Sequence, residues 1–445
     1  MSNLNTSFLW SFKQQIYENI GINLEYYDLD NAATIFGLNN SYSNPGLFRI
    51  SCTLIEKIKP DYLQLAANNI IYRFPYFQVN LKPGIFWPFW ETNLNSLIVE
   101  VDSEYPCQKI PLYKNGIYPF RILYKNRRIA VEFHHSITDG TGALTFLRAL
   151  VAEYLKFQGI ISKEKEDLFH LEQTPHPEES IDANKQIFRK FIPFPKKLSK
   201  AFRVPLKSEN KGIYHITTSI IAVDEVLKIA RKFKVTINDL LTALYIETLQ
   251  DILYDMSPSL HNRWKKPIRI AVPINLRNIY PSKTMRNFSY MVPAEIDPRL
   301  GRHSFDEILK LVHHSIRTQI VEKLVNQQIS RNVKLETNIL MQSIPLPTKM
   351  IAARIGYSMF GEKVFSGKNS NLGIVSMPKI LENYIDNFQF VLSPSRAINS
   401  GCAFVSFKEN LYINFGRTTK NPIIVDTFNT KLEKLGVYLD IKPYK

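Results

Sequence analysis

Seven residues, His134-His135-Ser136-Ile137-Thr138-Asp139-Gly140, constrain this chain more than any other stretch. In front of them, Ile129, Val131 and Phe133 alternate with other residues as in a half-buried strand. Behind them, Leu144, Leu147 and Val151 recur at helical spacing. The histidines therefore stand where a strand stops, and Asp139 stands where a helix starts. A rigid scaffold often aims binding and catalytic side chains from such a junction. Taken singly, each residue has an ordinary structural use. Asp139 suits a helix N-cap, Gly140 and Gly142 suit a tight turn, and paired histidines are most often packed or solvated. Together they place an imidazole, a carboxylate and a space-clearing glycine on one turn. Imidazole titrates near neutrality and can accept a hydroxyl proton.

The chain contains its own control. His313-His314-Ser315-Ile316 repeats the first four residues but continues Arg317-Thr318-Gln319, without the acid or the glycine. Ile308, Leu311, Val312, Ile316 and Ile320 around it are spaced for an amphipathic helix, so this second pair reads as structural.

The first motif resembles the His-His-x-x-x-Asp-Gly signature of the superfamily with the chloramphenicol acetyltransferase-like fold. Peptide-synthetase condensation domains, plant acyltransferases and alcohol O-acetyltransferases belong to that superfamily. The resemblance implies that His135 is the general base, with His134 and Gly140 completing the catalytic motif. It also implies that Asp139 is a structural partner of an arginine. Pro273-Ile274-Asn275-Leu276-Arg277, followed by Asn287, is similar to the segment that carries this arginine, which makes Arg277 the expected partner. Ser370-Asn371-Leu372-Gly373 matches a stretch near the family's tunnel, and Asn371 is the residue put forward as a substrate-binding donor to the oxyanion. Phe74-Pro75-Tyr76-Phe77 and Gly84-Ile85-Phe86-Trp87 resemble bacterial alcohol acetyltransferases, and Thr236-Ile237-Asn238-Asp239-Leu240-Leu241 looks like a helix opening of the second domain. The likeness runs from about Phe74 to Gly416. The Asp-Phe-Gly-Trp-Gly element of the plant enzymes is absent, and Ile413-Asn414-Phe415-Gly416 is no substitute.

A length of 445 residues is natural for two domains. A β, α, then β, β, α order in each half suggests two similar α/β domains, and the resemblance adds a substrate tunnel between them. Residues 1–170 form the expected N-terminal domain with the motif, and 212–445 the C-terminal one. Residues 171–211 read as a linker, because Pro175 and Pro177 sit among acids before eight Lys and Arg run from Lys185 to Lys207 without an acid. Phe188, Phe191, Phe194 and Phe202 are interleaved there, which leaves open contact with a lipid surface or a tunnel mouth. Phe77 to Leu81 and Ile85 to Trp90 read as strands joined by a hairpin at Lys82-Pro83-Gly84.

Three scattered cysteines, Cys52, Cys107 and Cys402, have no metal-ligand spacing, and no metal is expected. Met1-Ser2-Asn3-Leu4-Asn5 has no basic region before an apolar stretch, so a secretory signal is not expected and the cytoplasm is. No run of 18 apolar residues is present, which predicts no membrane span. The formal charge of +16 favours anionic partners. No zinc-finger spacing, RNA-recognition signature or basic zipper accompanies it, so specific nucleic-acid reading is not expected. The expected activity is acyl transfer from acyl-coenzyme A, as co-substrate, to a small alcohol by a monomer with no permanently bound cofactor. Two alternatives stand beside it: a condensation-type enzyme fed by an acyl carrier protein, and a non-catalytic docking module.

Overall fold

The computed structural model describes residues 24–160, 173–256, 266–336, 338, 342–356, 362–395 and 397–444. The first half runs β1 (Tyr26–Asp28), α1 (Asn31–Asn39), β2 (Leu47–Leu54), α2 (Pro60–Ile70), β3 (Val79–Lys82) and β4 (Phe89–Thr92). It continues through β5 (Val99–Val101), β6 (Phe120–Lys125), β7 (Arg128–His134) and α3 (Gly140–Phe157). After α4 (Ala183–Gln186), the second half runs β8 (His215–Ala222), α5 (Val223–Lys232), α6 (Ile237–Tyr254), β9 (Ile268–Asn275) and β10 (Ser289–Ile296). Helices α7 (Phe305–Gln319), α8 (Glu322–Glu336) and α9 (Leu346–Gly356) follow, then β11 (Gly367–Val375), α10 (Lys379–Glu382) and β12 (Ile385–Val391). The last elements are β13 (Ser400–Phe407), β14 (Asn410–Arg417), α11 (Ile423–Lys434) and β15 (Asp440–Pro443).

Two large sheets organise these elements. One has the order β12-β2-β7-β6-β5 and the other β10-β9-β11-β13-β14-β8-β15, while β1, β4 and β3 make a small third sheet. In each half a hairpin, β6–β7 or β13–β14, runs into a helix, α3 or α11. Strand β7 is buried along its whole length, as a central strand covered on both faces must be. Phe133 stacks on Phe120 with centroids 4.7 Å apart, and Phe146 of α3 closes on Phe133 at 5.5 Å. That contact fixes α3 over the strand that precedes it. Helix α6 opens where the Thr236–Leu241 stretch led one to expect, and it begins with a capping box of Thr236 and Asp239.

Three features depart from the sequence reading, and a fourth was not part of it. Strand β12 lies in the segment assigned to the second half but pairs antiparallel with β2 of the first sheet, Phe388 opposite Cys52. The segment read as a linker is packed: Phe202 is fully buried, and Arg73 holds Glu179 through two 2.7 Å hydrogen bonds. Strands β3 and β4 pair from Lys82 opposite Phe89, so their connection is a loop over 83–88 instead of a turn at Pro83-Gly84. Trp90 of β4 is core, whereas Trp87 of that loop lies under the Lys349 ammonium at 3.6 Å. Last, Arg49 is fully buried inside the first sheet, donating to Glu132 at 2.8 Å and bidentately to Asp102 at 2.7 and 2.6 Å. No described helix is long and apolar enough to cross a membrane.

Candidate active site

The motif turn is fastened to the second half residue by residue. Asp139 caps α3 with one carboxylate oxygen, which accepts from the Thr141 and Gly142 amides at 3.1 and 3.3 Å. Its other oxygen accepts from Arg277 Nη1 at 2.8 Å and from the Phe288 amide at 2.9 Å. Arg277 also donates to the carbonyls of Thr284 and Arg286, each at 2.8 Å through Nη2. One guanidinium therefore shapes the 284–288 loop while it faces the carboxylate. Thr138 Oγ1 donates to the Met285 carbonyl at 2.5 Å, and Asn275 Nδ2 to Thr141 Oγ1 at 3.2 Å. Gly142 is where the backbones meet: a Cβ there would stand 2.6 Å from the Met285 carbonyl oxygen. At Gly140 a Cβ would stand 2.9 Å from Leu372 Cδ1.

The two histidines part company. His134 is fully buried; its Nδ1 lies 2.6 Å from Ser136 Oγ, and its Nε2 faces Gly46, whose Cβ, if present, would be 2.9 Å away. Burial holds this imidazole neutral, down to about 3 from 6.5, with His135 as a lesser cause. His134 does not line the cavity described below. His135 is half-buried and lines that cavity. Its ring stacks on Phe36 of α1 at 4.8 Å and leans on Phe48 at 4.6 Å. Its Nδ1 lies 3.4 Å from Asn287 Oδ1, and Asn287 Nδ2 donates to the His135 carbonyl at 2.9 Å. Because the amide NH2 is spent on that carbonyl, the facing oxygen accepts, which puts the imidazole proton on Nδ1 and the lone pair on Nε2. Burial lowers the His135 pKa from 6.5 to about 4; Asn287 and Asp139 oppose the shift, and Lys368 adds to it.

Asn287 is itself supported. Its Nδ2 lies 3.4 Å from Asp30 Oδ2, and Asn184 Nδ2 donates to its carbonyl at 3.1 Å. Asp30, fully buried, caps α1 through the Ala33 amide at 2.7 Å and lies 3.5 Å from Arg286 Nε. Burial raises its pKa from 3.8 to about 6 against the pull of Arg286. Asp30 and Phe36 went unnoticed in the sequence; the signal available was Ala32 and Phe36, four apart, both of which face the cavity.

The cavity has a volume of about 300 Å³ and draws its walls from both halves. Ile274, Ile329, Val333, Leu372 and Phe390 make it largely apolar, with Lys368 and Ser370 at its polar side. Asn371 lines it too, on a bulged part of β11. Its Oδ1 accepts from the Gly373 amide at 2.8 Å, which leaves the NH2 as the donor end. The second histidine pair lies on α7, where His314 is exposed and His313 Nδ1 sits 3.0 Å from Asp239 of the capping box.

No protein-family model and no curated protein sequence matches the chain. Solved structures do. A trichothecene 15-O-acetyltransferase from Fusarium sporotrichioides matches with a TM-score of 0.59 at 11% identity, over 93% of this chain and 94% of that one. Polyketide synthase associated protein 5 from Mycobacterium tuberculosis gives 0.58 at 14% identity, over 91% and 96%. The condensation domain of the monacolin K polyketide synthase MokA gives 0.55 at 12%, over 93% and 97%. The chain has the chloramphenicol acetyltransferase-like fold. Its two sheets are the two lobes of that fold, and the motif turn, Arg277 and the 284–288 loop lie where the lobes meet.

Proposed function

We propose that the chain is an acyltransferase that moves an acyl group from a thioester to a hydroxyl, with His135 as general base, acyl-coenzyme A as donor and a small alcohol as acceptor. The observation that carries this reading is the His135 ring: neutral, clamped between Phe36 and Phe48, with Nδ1 facing Asn287 and the cavity alongside. A fold hosts many activities, and it is the chemistry of this site, not the likeness, that supports the activity.

In the proposed reaction the acceptor O–H proton passes to Nε2 as the oxygen attacks the thioester carbonyl carbon. The C–S bond then breaks, and the imidazolium returns the proton to the departing sulfur as a free thiol. General-base help of this kind is worth about 10² to 10⁴ in rate; the remainder comes from alignment in the cavity and from donors to the oxyanion. Asn371 Nδ2 is the proposed donor. Asp139 moves no proton; paired with Arg277, it holds the turn. No acyl-enzyme is required.

The experiment is to incubate the protein with acetyl-coenzyme A and a panel of alcohols and to follow thiol release and product mass. Release that needs both an alcohol and His135 supports the reading. The likeness to a condensation domain makes a carrier-protein donor the rival. Product formed with an acylated carrier protein, and with no acyl-coenzyme A, assigns the chain to that rival.

A further inference from the structure

The basic stretch that the site does not use is held in an unusual posture. Residues 185–207 carry eight Lys and Arg and no acid, and Arg189, Lys190, Lys196 and Lys200 are exposed. Between them Phe191 is 92% exposed and Phe194 57%. Single exposed apolar side chains are ordinary; two phenyl rings three residues apart, each under a cation, are a pattern. Lys190 lies over Phe191 at 5.7 Å and Lys334 over Phe194 at 5.2 Å.

The rings are not displayed by a loose segment. Helix α8 holds it at three points: Asn326 Nδ2 donates to the Ile187 carbonyl at 2.6 Å, Ser330 Oγ accepts from the Arg189 amide at 3.0 Å, and Gln327 Nε2 donates to the Pro193 carbonyl at 3.0 Å. Phe188 turns inward and packs against the cluster containing Val325, Ile329 and Val333. The chain thus separates an aromatic residue that it partly buries from two that it turns out to solvent.

We propose that this face, residues 187–200 on helix α8, docks on an anionic lipid bilayer. Phe191 and Phe194 enter the headgroup boundary, while the flanking cations meet the lipid phosphates. Charge complementarity argues for an anionic surface: residues 185–207 carry no acid of their own, and Glu322 beside them is already 3.7 Å from Arg189. The rings argue for lipid over protein. A ring that stands 92% clear of its own surface finds a place in a bilayer interface without shape complementarity, whereas a protein partner must offer a matched pocket. Docking also has a location. Ile329 and Val333 of the same helix line the catalytic cavity, and a helix with its side chains is about 10–12 Å across. The bilayer would lie about that far from the cavity wall, which suits a substrate drawn from the lipid phase. The docking itself does not depend on the acyl-transfer reading.

The test is flotation of the full chain with vesicles of phosphatidylcholine alone or mixed with phosphatidylglycerol. Binding is expected to the mixed vesicles, not to the neutral ones, and to weaken with salt. Phe191→Ser with Phe194→Ser, and Lys196→Glu with Lys200→Glu, should each lower partitioning by at least about tenfold, with melting unchanged. Lys228→Glu with Lys232→Glu on α5, the same change in net charge, should leave partitioning as it was. Failure to bind anionic vesicles, or equal losses from the two charge-reversed pairs, overturns the proposal. So does capture by an immobilised acyl carrier protein through these same residues without vesicle binding, which makes the face a protein-docking surface.

Discussion

Arg277 Nη1 and Asp139 Oδ2, 2.8 Å apart and both largely shielded from water, join the first turn of α3 to the segment after β9. The pair bridges the two lobes at the base of the histidine turn. Removing one partner of a buried pair leaves a charge uncompensated, at about 3–5 kcal/mol. Asp139→Ala and Arg277→Ala should each lower the melting temperature and the activity, and the double variant should be clearly less damaged than the sum. Additive losses in the double-mutant cycle would show that the two do not act together.

His135→Ala should cut turnover by at least about 10²-fold while the protein stays folded. His134→Ala should act in the other sense, lowering the melting temperature by opening a void against Gly46, because this imidazole is packed and does not line the cavity. His314→Ala should change neither. Turnover and thermal unfolding of the three variants, measured together, separate these roles.

Asn287→Ala removes both the acceptor facing Nδ1 and the donor to the His135 carbonyl. Turnover should fall with little change in thioester KM, and Asn287→Gln should restore part of it. A purely structural Asn287 would instead show matched losses of melting temperature and of active-site titre, with normal turnover per active site.

The pH dependence follows from three buried groups. With His135 at about 4, kcat/KM should stay level from neutrality to about pH 5 and fall below it as Nε2 is protonated; a limb near 6.5 would contradict the site. Stability has its own sign. Unfolded, His134 and His135 each take a proton as pH falls through 6.5, whereas folded they do so only at about 3 and about 4. Their stabilisation is therefore complete above 6.5 and is lost on acidification. Asp30, raised to about 6, works oppositely, favouring the fold at low pH and losing that contribution as pH rises from 3.8 through 6. Two protons against one leave a net loss of about 1.4 kcal/mol per pH unit between roughly pH 6 and 4. Urea unfolding across that range should show it.

Gly140→Ala and Gly142→Ala should fail differently. At 142 the new methyl meets the Met285 carbonyl, which cannot move without opening the lobe contact, so the melting temperature should fall sharply. At 140 it meets the end of a Leu372 side chain that lines the cavity, so the expected change is in acceptor KM with stability nearly intact.

The parts of this molecule that were legible in its sequence are those with local causes. The strand-to-helix turn at His135, the capping box at Thr236 and the helix under His313 each declare themselves within a dozen residues. Long-range partners did not, save the Arg277–Asp139 pair that the family resemblance pointed to. Arg49 finds Glu132 at a separation of 83 residues, and Asn287 finds His135 at 152; nothing near either residue announces the other. The basic stretch read as a linker because its charges dominate its composition, although Phe202 within it is core.

The place of β12 bears on how the chain is made. Its strand is synthesised some three hundred residues after β2, the neighbour it covers. Until then β2 presents a bare edge of unpaired amides and carbonyls, the kind of surface that recruits other strands. The nascent first lobe must therefore wait, incomplete and adhesive, while the second emerges from the ribosome as far as β11. Chains cut before residue 385 should for that reason aggregate instead of yielding an isolated, working half.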